Sequence, residues 1–110
     1  MHQDKIGKLL VVVSSFPGLE EAQFVARYLI EHHLAACVQI QEGVHSFYRW
    51  EGKICEESEA LLSAKTDASL WPEISECIKA RHPYDLPEIL AFTPEQYEEH
   101  YGKWVQAEVK

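Results

Sequence analysis

The 110-residue sequence predicts an α+β domain of order β-α-β-β-α-β, the ferredoxin-like arrangement, followed by one extra C-terminal helix. Three observations predict it. Leu9-Leu10-Val11-Val12-Val13 is an unbroken, β-branched apolar run, as a strand covered on both faces requires. Two segments, one over residues 19–33 and one closing at His82, carry apolar residues at helical spacing. Between them lie two long extended arms, Leu34–Tyr48 and Ile54–Thr66, around a turn at Trp50-Glu51-Gly52-Lys53.

The first strand is expected to break at Ser15-Phe16-Pro17-Gly18. The first helix then buries Ala22, Val25, Ala26 and Leu29. Glu20 and Glu21 fall in its first turn and His32 and His33 in its last, which suits the helix dipole. That role accounts for the two histidines without a metal. The outgoing arm of the hairpin pauses at Gly43. In the return arm Ala60, Leu62 and Ala64 share one face, and Glu59, Leu61, Ser63 and Lys65 share the other. Asp67 or Ser69 can cap the second helix, with Pro72 in its first turn and Ile74, Cys77 and Ile78 as its buried stripe.

Pro83 pushes His82 out of helical geometry and so ends that helix; Pro87 opens the fourth strand, Glu88 to Phe92. Thr93-Pro94-Glu95-Gln96 matches a capping box with proline at the first helical position. The last helix is therefore expected over Pro94 to Val109, with Tyr97, Tyr101, Trp104 and Val105 on its apolar side.

At 110 residues there is room for one domain, 1–110, with one core. A net charge of -8 argues against nucleic acid and anionic membrane as partners, because both reward clusters of Lys and Arg. No apolar run approaches a membrane span, and Met1-His2-Gln3-Asp4-Lys5 lacks the apolar core of a signal peptide. The expectation is a soluble, cytoplasmic protein. Cys37, Cys55 and Cys77 are odd in number and widely spaced, which fits neither a zinc ribbon nor a disulfide framework. Cys37 and Cys77 read as buried thiols, and Cys55 beside Glu56 and Glu57 is a poor nucleophile.

The two arms of the hairpin are about twice the ~5–6 residues usual for a strand. A helix rises ~1.5 Å per residue and a strand ~3.3 Å, so neither helix can cover them. The hairpin should overhang its own core and carry Val44, Phe47, Tyr48, Trp50 and Ile54 outward. An exposed edge of that kind calls for a second copy, which predicts an obligate oligomer paired through its sheets.

The richest local signal is His82-Pro83-Tyr84-Asp85-Leu86-Pro87-Glu88-Ile89, where two prolines bracket a tyrosine and two acids. Leu34-Ala35-Ala36-Cys37-Val38, Tyr48-Arg49-Trp50-Glu51-Gly52-Lys53, Glu59 to Thr66 and this segment, in that order and spacing, resemble the divalent-cation-tolerance family, CutA. The resemblance spans most of residues 9–92. It implies a tight homotrimer, association with tolerance to divalent metals and copper especially, and clefts between subunits. The cleft or interface candidates it points to are Trp50, Glu51, Lys53, Tyr84, Pro87 and Glu88.

The family's proposed copper ligands are a cysteine at the end of the first strand and two histidines before the proline. Here those positions read Ser15, Arg81 and His82. A hydroxyl is a poor donor to copper and arginine cannot coordinate, so His82 with Glu59 is the metal candidate that remains. No cofactor is required on this reading, with copper(II) or another divalent cation as the ligand to consider. No catalytic motif is present: there is no Gly-x-Ser-x-Gly, no His-Glu-x-x-His and no glycine-rich phosphate loop.

Two other readings stay open. His82, Tyr84, Glu59 and Lys65 are acid-base-capable and could serve an enzyme at the clefts. The same architecture also serves PII-like small-molecule signalling trimers, but those bind anionic phosphates, for which this chain offers no basic cluster. An RNA-binding reading fails because Leu9–Val13 and Glu59–Thr66 present no stacking aromatics.

Overall fold

A computed structural model describes residues 7–110; the reading of Met1–Lys5 lies outside them. The expected order of elements is present: β1 (Leu9–Phe16), α1 (Leu19–Glu31), β2 (Cys37–Trp50), β3 (Lys53–Asp67), α2 (Trp71–Arg81), β4 (Ile89–Phe92) and α3 (Glu99–Glu108). The strands form one antiparallel sheet in the order β2-β3-β1-β4. Alternation along β1 and β3 sends Val12, Phe16, Leu62 and Ala64 to one face, fully buried against Ala22, Val25 and Leu29 of α1 and Ile74 and Ile78 of α2.

β1 does not break at Ser15. It continues through Ser15 and Phe16, which pair with Leu61 and Ala60, because the Phe16 side chain is wholly buried and Pro17 is the first residue unable to donate. α1 stops at Glu31, two residues early. His33 takes a left-handed φ of 57°, and the N–H groups of Leu34 and Ala35 close on the carbonyl of Leu29. Those bonds bury Leu34 and Ala35 in a turn, so β2 begins only at Cys37. His32 and His33 each place Nδ1 against a carbonyl, that of Tyr28 at 2.9 Å and that of Glu108 at 3.1 Å, consistent with the structural role expected of them. Cys37, on an edge strand, is half-buried rather than enclosed; Cys77 is buried, and burial pushes its thiol pKa up.

Asp67 caps the short 3₁₀ turn that leads into α2, accepting the Ser69 N–H at 3.0 Å and its hydroxyl at 2.6 Å. The hairpin turn Glu51-Gly52 has φ of 51° and 77°, the mirror-image turn that matches strand twist. Between Gln41↔Leu61 and Val44↔Glu59, Glu42 and Gly43 together oppose Ala60 in a bulge. β1 ends opposite Ala60, so residues 53–59 of β3 and their β2 partners run on alone for roughly 20 Å. The molecule is accordingly drawn out to 56 × 26 × 21 Å.

The last helix differs most from expectation. Residues 93–98 are not helical, and α3 starts at Glu99 with the Glu98 carboxylate accepting the Tyr101 N–H at 2.9 Å. Tyr97 lies outside the helix with its ring against Gly102, where any Cβ would run into it. Val105 is buried as expected, but Tyr97, Tyr101 and Trp104 remain largely exposed. α3 packs on β1 and β3 across the face away from α1 and α2, with Gln106 bonding the Gly7 carbonyl at 3.1 Å and Asp67 at 2.9 Å.

Two buried hydroxyls, Ser14 Oγ and Thr66 Oγ1, have no hydrogen-bond partner among the described residues. Such a group forfeits its hydration without return. Thr66→Val should therefore hold or raise stability, by up to about 1 kcal/mol, whereas Leu62→Ala in the same layer should lose ~2–5 kcal/mol. Urea unfolding at one fixed protein concentration separates them; a Thr66→Val loss as large as that of Leu62→Ala would mean the hydroxyl is satisfied.

Candidate functional site

The step at which β1 ends while the hairpin continues leaves one side of β3 without a strand. The segment after α2 turns into that step, because Pro83 stops the helix and Pro87 prevents the chain from pairing before Ile89. Between this segment and the hairpin lies a cleft of about 730 Å³. Tyr48 and Trp50 line it from β2, Glu57 and Glu59 from β3, and Tyr84, Asp85 and Glu88 from the connecting segment, with Ser15 at the end of β1.

His82 holds the connector in place. Its Nε2 is 2.8 Å from the Ser15 carbonyl, which can only accept, so Nε2 carries the proton. Nδ1 is then the lone-pair nitrogen and accepts the Tyr84 N–H at 3.1 Å. The ring stacks on Phe16 at 4.3 Å. Burial lowers the His82 pKa below its usual 6.5, with the Ser15 carbonyl and the Glu59 charge opposing that shift. At neutral pH the imidazole is uncharged.

Tyr84 in turn donates its hydroxyl to Glu59 Oε2 at 2.8 Å. Burial first, and then the Glu59 carboxylate, push its phenol pKa well above the usual range. Tyr48 donates likewise to Glu57, and that bond pushes its pKa up to about 12. Both phenols therefore stay protonated, and each orients one carboxylate on neighbouring positions of β3.

The sequence-predicted residues divide. Trp50, Glu59, Tyr84, Glu88 and Ser15 meet in the cleft, and His82 supports it from behind. Glu51 and Lys53 sit at the hairpin turn, and they and Pro87 fall outside the lining. Lys65 is at the far end of β3, bonded to Gln39. Arg81 turns away: its guanidinium lies 3.6 Å above the Tyr28 ring and Nη1 bonds the Cys77 carbonyl at 3.3 Å. Tyr48, Glu57 and Asp85 had not been singled out as cleft residues. The Tyr48-Arg49-Trp50 motif held the first of them, but its face depends on the bulge at Gly43.

These residues do not fit a copper centre. The imidazole lone pair of His82 is occupied by the Tyr84 N–H, Ser15 offers only a hydroxyl, and Arg81 faces elsewhere. Among the described residues no three His, Cys, Asp or Glu side chains converge as a metal site requires.

Residues 10–108 match the family described as CutA1 divalent ion tolerance protein. A divalent-cation tolerance protein CutA of Thermus thermophilus is 41% identical over 96 residues, which cover 87% of this chain and 93% of that one. The crystal structure of CutA1 from Oryza sativa superposes with a TM-score of 0.90 at 36% identity, covering 94% of each chain. That of the periplasmic divalent cation tolerance protein CutA from Archaeoglobus fulgidus also gives 0.90, at 34% identity, covering 93% and 99%.

Because the fold keeps His82 neutral, its unfolded form binds a proton first on acidification. The stability that His82 contributes is complete above pH ~6.5 and is lost as pH falls from there through its lower folded pKa. NMR titration should show the His82 ring titrating below 6.5 with the Tyr84 amide shift following it. A His82 pKa at or above 6.5 would mean that the Ser15 bond and the Glu59 charge outweigh burial.

Proposed function

We infer the role of this chain from one premise: it belongs to the CutA1 divalent ion tolerance family. The reading it supports is a homotrimeric, non-catalytic CutA-like protein of the cytoplasm, acting in tolerance to divalent cations, copper included. No cofactor is required in this reading. Copper(II) or another divalent cation meets the chain as cargo, at its acidic surface and at Glu59 rather than at a ligand set built around His82.

The overhanging hairpin carries the reading. Phe47 is 66% and Ile54 70% exposed on a two-stranded ribbon that no helix among the described residues covers. Leu90 and Phe92 on edge strand β4 are about half exposed as well. Apolar surface and unpaired strand edges in this arrangement favour closure by further copies. Trp50, Glu51 and Lys53 at the ribbon's tip are the residues such a contact would use first. Three-fold closure is the part that comes from the family resemblance.

The chemistry of the cleft supports a non-catalytic role. A general base needs a lone pair open to substrate, and His82 has both nitrogens engaged. Both phenols are committed to carboxylates. A PII-like phosphate ligand is disfavoured by a lining that, among the described residues, holds carboxylates and no Lys or Arg. No described helix is long and apolar enough to cross a membrane. Cytoplasmic placement rests on three cysteines that stand apart as free thiols.

Light scattering at micromolar concentration should return three times the chain mass, and Trp50→Ala should weaken assembly more than Glu98→Ala; a monomer would sink the reading. Copper(II) titration of the tag-free protein should show weak binding that His82→Ala leaves within about twofold. Saturable binding abolished by His82→Ala would instead establish a site at that ring.

A further inference from the structure

The cleft combines two features that a metal ion does not need together. Among the described residues its lining carries Glu57, Glu59, Asp85 and Glu88 and no Lys, Arg or His. It also carries the rings of Tyr48, Trp50 and Tyr84. Tyr48 keeps 40% of its surface exposed, and a ring open beside carboxylates offers a cation its π-face.

Glu59 is the sharper observation. Only 8% of it is exposed, yet Tyr84 donates to Oε2 alone, and no other donor reaches its carboxylate among the described residues. Held by that one bond at the wall of an open cleft, the carboxylate is placed to accept from a cationic donor that enters from outside. The cleft's volume of about 730 Å³ is in the ~300–1,000 Å³ range of small-molecule sites.

The class of cation follows from spacing. A divalent metal requires several oxygens within one coordination sphere, and among the described residues no three candidate ligands converge in that way. Ammonium groups joined by methylene spacers have no such requirement. Each head can donate to a separate carboxylate, while the spacers and the adjacent positive charge lie on the aromatic rings. Protonated Tyr48 and Tyr84 strengthen the fit, because they hold Glu57 and Glu59 in place without cancelling either charge. We propose that this cleft is a binding site for a linear organic polycation of the polyamine type. The inference deepens the role proposed above at the same cleft, but it rests on the cleft's chemistry and not on the number of copies.

The test is calorimetric titration of the full chain with spermidine at about 20 mM and 150 mM salt, beside tetramethylammonium and magnesium chloride. The expected result is saturable spermidine binding, one per chain, that persists at the higher salt and is not displaced by equimolar magnesium. Glu59→Gln and Tyr48→Leu should each weaken it about tenfold, which corresponds to ~1.4 kcal/mol. Glu42→Gln, on the bulge and outside the lining, should leave it unchanged. Glu57→Gln, at an exposed position, repeats the charge test if Glu59→Gln does not fold.

Spermidine binding that vanishes at 150 mM salt, or that Glu42→Gln weakens as much as Glu59→Gln, would reduce the effect to general acidic surface and overturn the proposal. Tetramethylammonium binding as tightly would overturn the linear class in favour of a single caged ammonium. Light scattering on the same samples separates the two readings, since a monomer that binds spermidine would sink the trimer and leave this site standing.

Discussion

Everything distinctive about this molecule follows from a mismatch of lengths. A strand gains roughly 3.3 Å per residue and a helix roughly 1.5 Å, so helices of 13 and 11 residues cannot roof strands of 14 and 15. β1, with 8 residues, stops where the helical layer stops. β2 and β3 do not. The sheet therefore has a step, and the step creates both an uncovered ribbon and a recess beside it. An apolar surface that needs covering and a cleft that can hold a ligand are two results of one geometric fact.

A recess alone would be a weakness in the sheet, and His82 turns it into a defined wall. One ring ties three parts of the chain: its Nε2–H reaches the end of β1 at Ser15, its face stacks on Phe16, and its Nδ1 takes the amide that starts the proline-bounded segment. The Nδ1 tie depends on the ring being neutral, since only then does that nitrogen have a lone pair, and burial keeps it so. Tyr84 then passes the constraint across the cleft to Glu59. The order of dependence runs from helix end to strand end to carboxylate, so the cleft is organised from the core outward.

The sequence made the fold legible because its signals were local and agreed. The β-branched run at Leu9–Val13, the stripe Ile74, Cys77 and Ile78, the Asp67 cap and the two prolines each specify backbone state without long-range information. Thr93-Pro94-Glu95-Gln96 satisfies the capping pattern, yet tertiary contact sets the start of α3, with Tyr97 settling on Gly102 and Glu98 taking over the cap. The cleft was half legible. Glu59 and Tyr84 could be singled out, but Tyr48 could not be assigned a face. Without the bulge, Tyr48 would lie on the opposite side of the sheet from Gln41, since seven positions separate them. Glu42 and Gly43 share one partner and reverse that parity, which brings Tyr48 over Cys55 and beside Glu57.

The substitution pattern around His82 now has a physical meaning. A cysteine and a second histidine at positions 15 and 81 would supply soft donors; Ser15 and Arg81 do not. Arg81 brings a permanent positive charge to within one residue of an acidic cleft, where it would cancel part of the field. Instead its guanidinium folds back over Tyr28 and onto the last carbonyls of α2, a placement that the end of a helix favours. Arg81 cancels none of the cleft's negative charge, because its guanidinium is held over Tyr28 at the helix end. With the imidazole lone pair spent on Tyr84 and the arginine withdrawn, what remains facing the opening is carboxylate and aromatic ring. That pairing recognises cations by charge and by π-face together, and it requires no coordination chemistry at all.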